Sequence, residues 1–465
     1  MKNKFNHSVL VISAAKMTNA ALIFLRMAIL ARLLMPADFG VAATFWITTG
    51  ILAAITELGI DKILIQDKKG NDAHFGAVAQ TLLFARGVII SVLILMFHYE
   101  FAVFFDVPEA ADEFALLAIL PLLKGLEHRS YITKQRNMDF LPFAIQQISP
   151  ELITLILVFP LAFYFSDYRT FVYLSIAAVL VSLTVSHILA DAPFRFAWDK
   201  EITKKIIRFG WPLTLSSVLL VLTLQGDKLV ISQYYSKHEL GLFSVAFAFA
   251  TFIPNNLAGV LTQIMLPDLS KIRDDQNTLF KRVQLMNHLI LWLSMPGIFI
   301  LLAYSSELIE FIYGKKFIEV ATIVKIIAVV FFVRLLRQVP NTLCVAFGTT
   351  KFVMFSNMFR QVALIISLIL AVKNVELHWI AATGIIGELM AMVAVSFAIC
   401  RTMECHYSFW LRPTIGLILY SFVAYFLIEG LVTSGLHIIL FFFVLIMTGY
   451  SAIHALRNLN ELNRG

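Results

Sequence analysis

Apolar residues fall in runs of about 20 along this chain, and polar residues gather in the short breaks between them. As a helix, a run of that length spans the roughly 30 Å hydrocarbon core of a bilayer. The runs lack the period-two alternation of strands in a membrane barrel. Fourteen such segments follow one another, at 8–34, 38–65, 74–99, 113–132, 140–165, 168–190, 206–235, 238–266, 282–304, 318–346, 350–372, 377–400, 410–431 and 434–456. The expected fold is therefore all-α integral membrane, with about 14 transmembrane helices.

The breaks carry their own pattern. Loops on the cytoplasmic side of a membrane collect Lys and Arg. The first side is poor in them: 98–112 holds acidic residues and His98 but no Lys or Arg, and 429–437 has none. The second side is rich, with Lys62, Lys68 and Lys69, then Lys124, Arg129, Lys134 and Arg136, then Arg195, Lys200, Lys204, Lys205 and Arg208, then Lys271, Arg273, Lys281 and Arg282. The alternation keeps phase to the last segment and places both termini in the cytoplasm. The exception is 304–317, where Lys315 and Lys316 fall on the outer side beside Glu307 and Glu310.

An internal repeat divides the segments. Residues 30–41 align without gaps to 231–242, an offset of 201 that pairs Asp38 with Glu239 and Gly40 with Gly241. Each acidic–apolar–Gly triplet sits in a tight turn between two long segments. The expected layout is a bundle of six helices at 1–190, a cytoplasmic linker at 191–205, a second bundle of six at 206–400, and two further helices with a short tail at 401–465. Both bundles start on one side, so the repeat is parallel, as in one class of transporters.

Composition agrees with the pattern. The chain of 465 residues is 59% hydrophobic and 14% charged, where soluble domains carry roughly 25% charge. The net charge of +7 lies in short loops and reads as topology, not as affinity for nucleic acid. Cys344, Cys400 and Cys405 form no metal or redox motif. No catalytic residue, metal or cofactor is expected. Asp38-Phe39-Gly40 spells a kinase magnesium motif with none of its companions, and no Gly-rich phosphate loop is present.

The chemistry lies in charges inside the apolar runs. A charge there costs on the order of 2.5–3.5 kcal/mol on insertion scales, so it faces protein or a water-filled cavity. Eight are basic: Lys16, Arg26, Arg86, Lys228, Lys325, Arg334, Arg337 and Arg360. Four are acidic: Glu57, Glu151, Asp227 and Glu388. Lys16, Glu57 and Lys325 are within snorkelling reach of an interface, and Glu151 follows Pro150 near a segment end. The repeat offset pairs Arg26 with Asp227, opposite charges in the two halves. Surplus arginine suits an anionic ligand, because guanidinium holds phosphate bidentately. Lys16, Arg26, Arg86, Arg334 and Arg360 are the expected anion-binding residues. Glu57, Asp227, Lys228 and Glu388 are expected to serve ion coupling or charge pairing, with protons or sodium as the coupling ion. Amides at Gln146, Gln147, Gln225, Asn255, Asn256, Gln263 and Asn357 suit sugar hydroxyls and also glue helices together.

The run Leu30-Ala31-Arg32-Leu33-Leu34-Met35-Pro36-Ala37-Asp38-Phe39-Gly40 resembles the first helix and turn of the polysaccharide transporter (Wzx-type) oligosaccharide flippases. Glu57-Leu58-Gly59-Ile60 with Leu64-Ile65-Gln66 is similar to the end of their second helix. Phe209-Gly210-Trp211-Pro212-Leu213 and Asp227-Lys228-Leu229-Val230-Ile231 are similar to their seventh. The order of these blocks is that of the multidrug/oligosaccharidyl-lipid/polysaccharide (MATE/MOP) exporter superfamily. The resemblance implies a flippase in a bacterial inner membrane. Its cargo would be an undecaprenyl-diphosphate-linked oligosaccharide, its surroundings membrane lipid, and its partners a polysaccharide polymerase and glycosyltransferases. A multidrug cation exporter or a peptidoglycan lipid-precursor flippase of the same superfamily is the alternative. An exporter of cations would want an acidic first helix, whereas this one offers Lys16 and Arg26. A membrane scaffold would have no need of the buried charges, and a membrane glycosyltransferase usually has a larger extramembrane part.

Overall fold

The computed structural model describes residues 2–67, 69–70, 72–135, 139–272, 275–403 and 408–431. The expected span at 434–456, the C-terminus, the loop residues Lys68, Arg136 and Arg273, and Cys405 lie outside them.

Among the described residues every regular element is helical. Contacts divide the chain into two compact units, Met1–Ser244 and Val245–Gly465. The first holds α1 (Lys2–Leu33), α2 (Pro36–Ile55), α3 (Ile60–Gln66), α4 (Ala73–Met96), α5 (His98–Phe104), α6 (Ala111–Leu117), α7 (Ile119–Leu126), α8 (Ser130–Lys134), α9 (Leu141–Phe165), α10 (Arg169–Ile188), α11 (Lys200–Tyr234) and the first turns of α12 (Lys237–Lys271). The second holds the rest of α12 with α13 (Gln276–Tyr313), α14 (Val320–Ala346), α15 (Thr350–Arg360), α16 (Val362–Val372), α17 (Leu377–Met403) and α18 (Ser408–Leu431).

Ten segments among the described residues are long and apolar enough to cross a membrane. The chain is thus a multi-pass α-helical membrane protein. Four expected spans are not among the ten. The one at 113–132 is broken into α6, α7 and α8. Pro121 falls in the first turn of α7, where its missing N–H costs nothing, so the chain breaks just before it. Those at 318–346 and 410–431 form the continuous helices α14 and α18, and α14 bears three cations. The fourth is 434–456.

The repeat is visible in the backbone. α1 ends at Leu33 and α11 at Tyr234; α2 begins at Pro36 and α12 at Lys237, both at the offset of 201. The two turns are capped alike. Asp38 Oδ2 accepts the Met35 N–H at 2.8 Å, and Glu239 Oε2 accepts the Ser236 N–H at 2.9 Å. An acidic side chain three residues into a helix thereby satisfies a donor at its start. The turns also touch each other. A Cβ on Gly40 would run into the Lys237 carbonyl, and one on Gly241 into the Pro36 carbonyl. Lys237 and Pro36 are themselves repeat partners, so the contact is reciprocal: each turn presents the same glycine to the same carbonyl of the other.

In the second unit α14 packs between α13 and α17, with α15 and α18 alongside. Its apolar residues are buried nearly all round, as a central helix requires. Charges on such a helix must find partners or a cavity.

Candidate functional site

Three arginines of the second unit converge on one carboxylate. Arg334 and Arg337 stand one turn apart on α14. Arg360 is the last residue of α15, where the helix yields to α16. Glu388 lies on α17, whose preceding Gly387 allows close approach: a Cβ there would stand 2.9 Å from the Arg360 carbonyl oxygen.

Glu388 is fully buried. Its Oε2 accepts Arg337 Nε at 3.0 Å. Its Oε1 faces Arg360 Nε at 2.6 Å and Arg334 Nε at 3.9 Å. Arg337 Nη1 also donates to Ser356 Oγ at 3.0 Å and Asn357 Oδ1 at 3.2 Å. Ser356 Oγ is fixed in turn by the Ala391 carbonyl at 2.8 Å. The cluster holds three positive charges against one negative. Arg334 Nη1 and Arg360 Nη1 are buried without a hydrogen-bond partner among the described residues. Burying an ion costs several kcal/mol unless a counter-charge or water offsets it. Here a cavity of about 270 Å³ adjoins the cluster, lined by Arg334, Arg337, Gln338, Asn341, Thr342 and Asn357 with four further residues. The arrangement suits an anion whose oxygens only accept.

The first unit arranges its charges differently. Arg26 Nη1 on α1 meets Glu151 Oε2 on α9 at 2.6 Å and Thr154 Oγ1 at 2.5 Å. Glu151 is thus the carboxylate on Arg26, and the pair is largely withdrawn from the surface. Arg86 on α4 meets Glu57 Oε2 at 3.2 Å, the Thr56 hydroxyl at 3.1 Å and the Ala53 carbonyl at 2.7 Å. It thus binds the C-terminal end of α2, where a cation complements the helix dipole. Each of these pairs is one cation to one anion. Lys16 is exposed on α1, and Lys228 is buried beside Asp227, six residues before the end of α11. Lys325 stacks over the Tyr425 ring at 5.6 Å. Of the expected residues, the structure thus joins Arg334, Arg360 and Glu388 in one cluster and adds Arg337, Ser356 and Asn341. A helical signal for the addition exists in the sequence: residues 334, 337, 338 and 341 share a face of α14.

The profile of the family described as "Polysaccharide biosynthesis protein" matches residues 29–322. An uncharacterized membrane protein in the cps region of Klebsiella pneumoniae is 21% identical over 422 residues, 89% of this chain and 84% of that one. The succinoglycan biosynthesis transport protein ExoT of Rhizobium meliloti (strain 1021) is 24% identical over 300 residues, 63% of this chain and 59% of that one. Among solved structures, lipid II flippase MurJ in an inward closed conformation superposes with a TM-score of 0.74 at 14% identity, covering 95% of this chain and 98% of that one. That likeness is one of fold.

Proposed function

This chain belongs to the family of polysaccharide biosynthesis proteins, and we propose that it is a flippase for lipid-linked oligosaccharides. On this reading it moves an undecaprenyl-diphosphate-linked repeat unit from the cytoplasmic to the periplasmic leaflet of a bacterial inner membrane. The product feeds a surface polysaccharide. The observation that carries the proposal is the surplus of cations at Arg334, Arg337 and Arg360 over Glu388, open to a cavity. A diphosphate supplies the missing negative charge, and the lipid tail stays in the bilayer. A cationic drug finds no such welcome there, which speaks against multidrug export. Alternating exposure of the cavity to the two sides moves the headgroup, with both termini cytoplasmic. Protons or sodium serve as the coupling ion, and glycosyltransferases and a polymerase act before and after.

The test is complementation of a deletion strain, reading surface polysaccharide. Arg334→Gln and Arg360→Gln are each expected to cut export at least tenfold while membrane levels of the protein hold. Undiminished export in both variants would overturn the cationic-cavity reading.

A further inference from the structure

Lys200, Lys204, Arg208, Trp211 and Leu215 of α11 are all exposed, at the three- and four-residue spacing of one helical face. The first three are cations and the last two are apolar, so the outward stripe turns from charged to apolar between 208 and 211. Lys205, off this stripe, pairs with Asp67 and lies over the Phe75 ring at 5.9 Å. The cations on the stripe have no such partner. Among the described residues no ion pair holds Lys200, Lys204 or Arg208, nor Arg195 in the linker before them. The carboxylates nearby are engaged elsewhere: Asp61 and Glu127 with Arg129, Asp191 with Lys134, and Asp199 with His74. Glu201 stands in the first turn, where its charge suits the helix dipole.

Contacts with α4 fix the depth at which the stripe changes. Ile206 is buried in a cluster with Val78, Ala79, Leu82 and Leu83 of α4. The linker reaches the same stretch of that helix. Thr81 Oγ1 accepts the Ala197 N–H at 3.0 Å and donates to the Ala197 carbonyl at 2.8 Å, and the Phe196 ring meets Phe84 at 5.2 Å between centroids. Phe196 keeps half its surface exposed, Trp198 69% and Trp211 72%. Three aromatic side chains therefore stand out from the protein near one level, where α11 passes from cations to apolar residues. Aromatic rings at one depth mark the boundary between headgroups and hydrocarbon. Lys204 and Arg208 lie within about 10 Å of helix rise of Trp211, on the headgroup side. Basic side chains at that level attract anionic lipids. We infer that the linker and the first turns of α11 form a site for anionic phospholipid headgroups. Arg195, Lys204 and Arg208 meet the lipid phosphates, and Phe196, Trp198 and Trp211 seat the boundary with the acyl chains. The site draws on no residue of the Arg334 cavity and stands whatever the cargo is. A lipid bound there grips the joint between α10 and α11.

The test extracts the full chain from bilayers of equal parts phosphatidylcholine and phosphatidylglycerol and counts, by mass spectrometry, the lipids that stay bound. The wild-type chain is expected to retain phosphatidylglycerol over phosphatidylcholine by at least roughly fivefold, the factor that one cation near an anionic surface contributes. Lys204→Gln with Arg208→Gln is expected to bring that preference within about twofold. Lys315→Gln with Lys316→Gln removes the same charge from another place and is expected to keep the preference. Where the first pair fails to accumulate, the single variants Lys204→Gln and Arg208→Gln replace it, each expected to halve the preference at least. Equal retention of the two lipids by the wild-type chain overturns the site, as does a Lys204 and Arg208 variant that keeps the preference. An equal loss in the Lys315 and Lys316 variant overturns it too, because net charge alone would then explain the selection.

Discussion

Glu388 is fully buried and holds three guanidinium groups beside the cavity, and its loss would leave them facing one another. Removing one member of a buried ion cluster costs on the order of 3–5 kcal/mol, because the remaining charge stays unpaired. Glu388→Gln is therefore expected to lower the thermal unfolding midpoint of the purified protein markedly. Adding Arg337→Met in that background should recover part of the loss. If Glu388→Gln unfolds at the wild-type temperature, the carboxylate is not the counter-charge described. The intramembrane charges themselves were legible in the sequence, since a polar residue inside an apolar run has a conspicuous cost. Their partners were not. Nothing in the spacing of the sequence announces that Arg26 meets Glu151, 125 residues away. Pairing depends on which faces of distant helices meet, and no local pattern encodes that.

At the scale of elements, capping reveals what the chain does at its helix ends. Asp72, Asp199 and Asp275 begin α4, α11 and α13, each accepting an N–H from the first turn. Backbone donors hold the Asp72 and Asp199 carboxyls below the ordinary value, and the Thr278 hydroxyl and N–H do so for Asp275. A depressed folded-state pKa contributes stability above the unfolded value near 4, lost as pH falls through the folded value. Replacing all three with Asn is expected to flatten the decline of the unfolding midpoint below pH 4, with little change at pH 7. A decline as steep as wild type would show that the caps are not what acid removes. The turn at Pro36 and its repeat at Lys237 were readable from their acidic residue and glycine. The division between α6 and α7 was not, because residues 114–120 on either side of it are uniformly apolar. The expected end of the ninth span at residue 304 matches a kink: Tyr304 leaves helical geometry, and α13 resumes to Tyr313.

At the scale of the molecule, lipid-length runs made the all-helical membrane fold legible, and ten spans among the described residues agree. The expected total of fourteen rested on run length and on the alternation of loop charge, and neither of those detects a break inside a run such as the one between α6 and α7. The two glycine turns give a prediction at this scale. Gly241→Ala sets a Cβ against the Pro36 backbone, which has no rotamer with which to yield. It is expected to reduce export or membrane accumulation severalfold. Gly50→Ala and Gly76→Ala meet open space and should be neutral or slightly stabilising. Equal behaviour of all three variants would remove the close contact from consideration.

The reciprocal contact between those turns has the symmetry of a homodimer interface, in which one patch is its own complement. A chain severed between α10 and α11 would leave a first fragment bearing both the glycine and the carbonyl needed to grip a second copy of itself. Self-association is thus latent in the fragment. In the intact chain, covalent connection keeps the proper mate at a high effective concentration, and strangers lose the competition. The covalent link between the two turns is therefore also what favours their contact within one molecule over contact with a neighbour.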